Sequence, residues 1–170
     1  MIIFLIGFMG SGKTTLGKRL ARKISYEFMD MDKVLEEKEG MSVSEIFRQK
    51  GEAYFREQES ALLQQLDAGK NTVVATGGGA PCFGNNIEII NQKGVSVYLK
   101  MQVASLVCRL ENAHAIRPLV QDLRSEELRD YIEKKLLERE PYYSQAHCII
   151  KGESVKPAHV IALVFGAGEP

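Results

Sequence analysis

Three groups of residues in this sequence have the type and spacing to do chemistry. The first is "GFMGSGKT", Gly7 to Thr14, which fits the pattern G-x-x-x-x-G-K-[ST]. The second is the pair Asp30 and Asp32 in "YEFMDMDK". The third is spread along the chain: Arg56, Arg117 and Arg139, with the triple glycine Gly77, Gly78 and Gly79. All three suit anions and the metal that travels with them. Glycine lets backbone N–H groups approach an oxygen with no Cβ in the way, and a guanidinium grips a carboxylate or phosphate through two parallel bonds.

The first group reads as a phosphate cradle if it follows a buried strand and opens a helix. Gly10, Ser11, Gly12, Lys13, Thr14 and Thr15 are then the nucleotide-contacting candidates. The glycines and the helix N-terminus face the phosphates, Lys13 reaches the β and γ phosphates, and the Thr14 hydroxyl ligates Mg²⁺.

The elements needed to position these residues are present. "IIFLI", residues 2 to 6, is a continuous apolar run ending at a glycine, as a strand buried on both faces reads. A helix follows from about Lys13 to Ser25, with Leu16, Leu20, Ala21 and Ile24 on one face. "YEF" is a second strand, "TVVAT" a third, "VSVYL" a fourth and "HCII" a fifth. Between the second and third, residues 41–70 supply helices with a serine start signal and apolar repeats at Phe55, Leu62, Leu63 and Leu66. Strands alternating with helices imply right-handed crossovers and a five-stranded parallel sheet, an α/β fold. From Asn112 to about Arg124 a proline and weak periodicity suggest a mobile surface loop, which contains His114 and Arg117.

Two absences narrow the class. The third strand ends in "VVATGGGAP" with no acid to help position a metal, and there is no N-K-x-D signature for guanine. A GTPase switch and the common ATP-driven motors are therefore disfavoured. Asp30 and Asp32 become the carboxylates best placed to assist a metal. If the strand ends at Asp30, the backbone turns between them and the two need not converge.

Composition agrees with one enzyme-sized unit. At 170 residues and 45% hydrophobic content a single domain is expected, and 22 basic residues balance 22 acidic ones, which gives no sign of a nucleic-acid binder. Three scattered cysteines with three histidines suggest neither a disulfide framework nor a zinc site. No apolar run approaches the ~20 residues of a membrane span, and the apolar start has no basic residues before it. A soluble cytoplasmic monomer is expected.

With "GFMGSGKTT", "DMD", "FREQE", "GGG", "RPL" and "REPYY" in this order, the chain resembles the shikimate kinase family from Met1 to about Leu163. The resemblance implies a P-loop fold of the nucleoside-monophosphate-kinase type. It implies substrate-binding helices over about 32–62 and a mobile lid over about 112–124. It also implies transfer of the ATP γ-phosphoryl group to the 3-hydroxyl of shikimate with Mg²⁺. Asp30 would assist Mg²⁺ through water. Asp32 would accept hydrogen bonds from substrate hydroxyls, either removing the proton of the attacking one or only orienting it. Arg56, Gly77, Gly78, Gly79 and Arg139 would bind shikimate, and Arg117 would bring charge to the phosphates from the lid.

One feature departs from the family pattern. Leu110 occupies the place of the adenine-stacking arginine, with Arg109 one residue earlier, so adenine contacts fall to Arg109 and to the "KGESVKP" loop around Pro157.

Without the resemblance the same residues have plainer readings. Arg56 would be a solvated helix residue paired with Glu52 and Glu59, Arg139 another, the glycines a tight turn, and the aspartates strand-end or capping acids. A gluconate kinase, a non-catalytic nucleotide-binding module and, more weakly, an adenylate-kinase-like enzyme are alternatives at this level.

Overall fold

Five consecutive apolar residues must be covered on both sides, and Ile2–Ile6 form the central strand β1, buried at every position. A computed structural model describes residues 1–112, 123 and 125–166. The other strands are β2 (Glu27–Asp30), β3 (Thr72–Ala75), β4 (Gly94–Lys100) and β5 (Cys148–Lys151). All four pairings are parallel, in the order β2-β3-β1-β4-β5. The helices are α1 (Lys13–Ile24), α2 (Met31–Glu39), α3 (Val43–Gln65), α4 (Asn86–Lys93), α5 (Val103–Glu111), α6 (Ser125–Tyr143) and α7 (Pro157–Phe165).

Alternation along β1 divides the core. Ile2, Phe4 and Ile6 pack on one face with Leu63 of α3, Ile90 of α4 and Tyr143 of α6. Ile3 and Leu5 pack on the other with Leu16 and Leu20 of α1 and Val160 of α7. Strand β2 begins one residue later than "YEF" suggests, and it extends to Asp30. Ser25 caps α1 at φ 57° and the Tyr26 N–H bonds to Ala21 O, so Tyr26 is taken up by the turn.

The serine start signal is Ser42, whose hydroxyl accepts from Glu45 N while the Glu45 carboxylate accepts from Ser42 N. Helix α3 is interrupted at Gly51 (φ 86°, ψ 162°), which explains why the sequence reads there as more than one helix. Together α2 and α3 enclose a small core of their own, Leu35, Ile46 and Phe55. Among the described residues no helix is long and apolar enough to cross a membrane. The expected lid, with His114 and Arg117, lies almost wholly outside the described residues.

Candidate active site

At the C-terminal edge of β1 the chain turns through Gly10 and Gly12, at φ 81° and 92°, and Lys13 opens α1. The Lys13 ammonium is buried and donates to Gly7 O at 2.8 Å and Phe8 O at 2.9 Å. Ser11 Oγ is buried without a hydrogen-bond partner. The Thr14 hydroxyl donates to Asp30 Oδ2 at 2.7 Å.

The two aspartates diverge. Asp30 is the last residue of β2 and Met31 the first of α2, so the backbone changes from extended to helical between them. Asp30 faces α1 through Thr14. Asp32 faces the triple glycine instead: a Cβ on Gly77 would stand 3.0 Å from its Oδ1.

Arg56 projects from α3, 8% exposed, so the reading as a solvated helix residue fails. Its guanidinium bonds Glu59 at 2.6 Å and Glu52 at 2.8 Å and lies over the rings of Phe47 and Phe55. A Cβ on Gly79 would come 2.5 Å from Arg56 Cζ, so a side chain there would push the guanidinium from this place. Glu59 is wholly buried; Oε2 accepts from Arg56, while Oε1 has no hydrogen-bond partner and sits where a Gly77 Cβ would clash at 2.0 Å. Burial pushes the Glu59 carboxyl up to about 7, although Arg56 beside it pulls the other way.

Arg139, on α6, is also buried; it stacks 5.2 Å over the Phe8 ring, and its Nη1 has no hydrogen-bond partner. One turn further on, the buried Tyr143 hydroxyl donates to Gly78 O at 2.5 Å. A Cβ on Gly78 would be 3.2 Å from Met9 N, so the glycine loop lies directly against the phosphate loop. Asp32, Arg56, Gly77, Gly78, Gly79 and Arg139 thus line one cavity, together with Met9, Val43, Phe47 and Phe55.

A second cleft opens on the other side of the phosphate loop, lined by Ser11, Gly12, Thr15, Arg19, Arg109 and residues 152–156. Arg109 lines this cleft. It donates to Gly10 O at 3.3 Å and to Glu153 O, while Leu110 packs over Gly10. Pro157 opens α7, and the cleft wall reaches Lys156 but not Pro157. Sequence reasoning missed Phe8 beneath Arg139 and the Tyr143 bond to Gly78. The "REPYY" spacing was the available signal for the second, since it places Arg139 and Tyr143 one helical turn apart.

The shikimate kinase family profile matches residues 9–165. A shikimate kinase of Bacteroides thetaiotaomicron is 43% identical over 154 residues, 91% of this chain and 88% of that relative. Among solved structures, a shikimate kinase from the same species superposes with TM-score 0.91 at 39% identity, covering 97% of this chain and 98% of that one. One from Acinetobacter baumannii, in complex with shikimate, gives TM-score 0.88 at 34% identity, covering 96% and 92%. A gluconokinase from Sinorhizobium meliloti, at 16% identity and TM-score 0.56 with 96% and 89% covered, shares the fold alone. Because the likeness in sequence and structure runs nearly end to end, the chain belongs to the shikimate kinase family.

Proposed function

We infer that this chain transfers the γ-phosphoryl group of ATP to the 3-hydroxyl of shikimate, giving shikimate 3-phosphate and ADP. The observation that carries this reading is the cavity beside the phosphate loop, where two buried arginines and Asp32 converge on glycine backbone. Two guanidinium groups suit a carboxylate, and an aspartate suits a hydroxyl.

Each residue then has a part. Arg56, anchored by Glu52 and Glu59, and Arg139, backed by Phe8, hold the substrate carboxylate. Gly77, Gly78 and Gly79 let the substrate ring approach the backbone. Asp32 accepts the hydrogen bond of the attacking 3-hydroxyl. The oxygen of that substrate hydroxyl bonds to the γ phosphorus as the bond to the β–γ bridging oxygen breaks; ADP leaves with that electron pair, and Asp32 orients or receives the hydroxyl proton.

Ser11, Gly12 and Lys13 cradle the phosphates, with Thr15 and Arg109 toward the nucleoside. Thr14 Oγ1 and Asp30 Oδ2 are hard oxygen donors side by side, the kind that Mg²⁺ accepts while keeping most of its water. When bound there, Mg²⁺ neutralises charge on the β and γ phosphates. Arg117 would add charge and exclude water from a closing segment over about 112–124, a role supported by the family resemblance. Substrate-binding helices over about 32–62, a single domain, a monomeric state and a cytoplasmic location complete the proposal.

The test is ADP release in a coupled assay with Mg²⁺ and ATP. Turnover with shikimate and none with gluconate is expected. Activity with gluconate alone overturns the substrate assignment, and ATP binding without transfer to either acceptor leaves a binding module.

A further inference from the structure

Residues 152–156 join β5 to α7 and form one wall of the nucleotide cleft. The phosphoryl transfer described above makes no use of Glu153, yet this residue engages both ends of α5. Its Oε1 accepts from Gln102 N at 3.3 Å and from Ser105 Oγ at 2.8 Å. Gln102 is the N-cap of α5 and supplies no side-chain cap of its own. The Glu153 carboxylate therefore does the capping and sets a negative charge at the positive end of the helix. In the last turn of α5, Arg109 donates one N–H to the Glu153 carbonyl and another to Gly10 O.

These bonds engage the edge of the Arg109 guanidinium, and a guanidinium held by its edge presents a planar face to an aromatic ring. A Cβ on Gly12 would stand 3.3 Å from Arg109 Nη1, so the arginine lies closely across the phosphate loop. The side chain of Glu153 fixes the loop relative to α5, and the loop carbonyl then fixes Arg109.

We propose that Glu153 is the positioning residue of the nucleotide cleft, holding Arg109 face-on to the base of ATP by clamping the 152–156 loop to α5. It touches no reacting atom, and this role rests on the ATP-binding reading given above.

The test is calorimetric titration of Mg²⁺ and ADP into the full chain, with steady-state kinetics alongside. A helix cap is worth about 0.5–2 kcal/mol, and with the order it gives the loop expressed in binding, Glu153→Ala is expected to weaken ADP roughly 2- to 30-fold. KM for ATP rises by the same factor, while kcat and KM for shikimate stay within about twofold. Glu153→Gln, which keeps the acceptor oxygen, recovers most of the affinity. Adding Glu153→Ala to Arg109→Ala brings little further loss, because the effect passes through Arg109. Unchanged ADP affinity in Glu153→Ala, including the case of a lowered Tm alone, overturns the proposal, as do losses that multiply in the double variant. Failure of the wild-type chain to bind ADP overturns the ATP reading instead.

Discussion

The phosphate loop is shaped mainly by backbone and the cavity beside it mainly by side chains. The phosphate loop hangs between the central strand, buried at all five positions, and a helix packed on its face. Its shape is set by main-chain turns, and its N–H groups need no further orientation. The cavity beside it instead gathers Asp32 from α2, Arg56 from α3 and Arg139 from α6. Its helices α2 and α3 share a core cluster of three fully buried side chains, and α3 is broken at Gly51. Across the two helices Glu39 of α2 pairs with Lys50 and accepts from Tyr54 of α3, while within α3 Glu52 and Glu59 hold Arg56 in place. The contrast separates two kinds of preorganisation. A cradle of N–H groups serves any phosphate, whereas a side-chain cavity can be rewritten for a new acceptor without disturbing the cradle.

If the two sides are separable, their variants should fail differently. The largest effect is expected at the aspartates. Asp32→Asn should lower kcat roughly 10²- to 10⁴-fold with ADP binding intact, whereas Asp30→Asn should chiefly raise the Mg²⁺ concentration needed for half-maximal turnover. Equal loss of nucleotide–Mg²⁺ affinity in both would return the pair to one task. Next comes Arg56→Lys, which cannot reproduce the bidentate fork; a hydrogen bond to a charged group is worth about 1.5–3 kcal/mol, so KM for shikimate should rise roughly 10- to 150-fold. A comparable rise in KM for ATP would count against separability. Tyr143→Phe strips the donor from Gly78 O, costing about 1–2 kcal/mol, and should raise KM for shikimate roughly 5- to 30-fold; an unchanged KM would mean the glycine loop holds its shape alone.

The smallest effect is on stability. Burial raises the Glu59 carboxyl from 4.5 to about 7, so the folded chain binds more protons than the unfolded one between those values. Its contribution is present in full below pH 4.5 and is lost as pH rises through about 7. Thermal unfolding followed from pH 5 to 8 should show this decline in the wild type and a shallower one in Glu59→Gln. Identical slopes would remove Glu59 as the source.

What the sequence disclosed follows the same division. β1, the phosphate loop and α1 are contiguous, so their chemistry and the elements that carry them read from one stretch of about 24 residues. The separation of Asp30 from Asp32 was also legible, because a strand giving way to a helix is a local event. The cavity beside the phosphate loop was legible only as a list of residues. That Phe8 would lie beneath Arg139, or that Glu59 Oε1 would fill the space left by Gly77, depends on contacts between segments far apart in sequence. Arg109 was ambiguous for a smaller reason. One residue is about 100° of rotation on a helix, and only the packing of Leu110 over Gly10 decides which residue faces the cleft.

The place of β1 at the centre of the sheet has a consequence for how the chain is made. It is the most continuously apolar strand, yet its partners are residues 72–75 and 94–98. Synthesised before both of them, it waits some 66 residues for an edge to pair with, roughly 3–13 s at about 5–20 residues per second. During that interval "IIFLI" is an unpaired apolar segment, a target for holdase chaperones and for self-association. The same strand that gives the finished enzyme its firmest foundation makes the nascent chain most vulnerable.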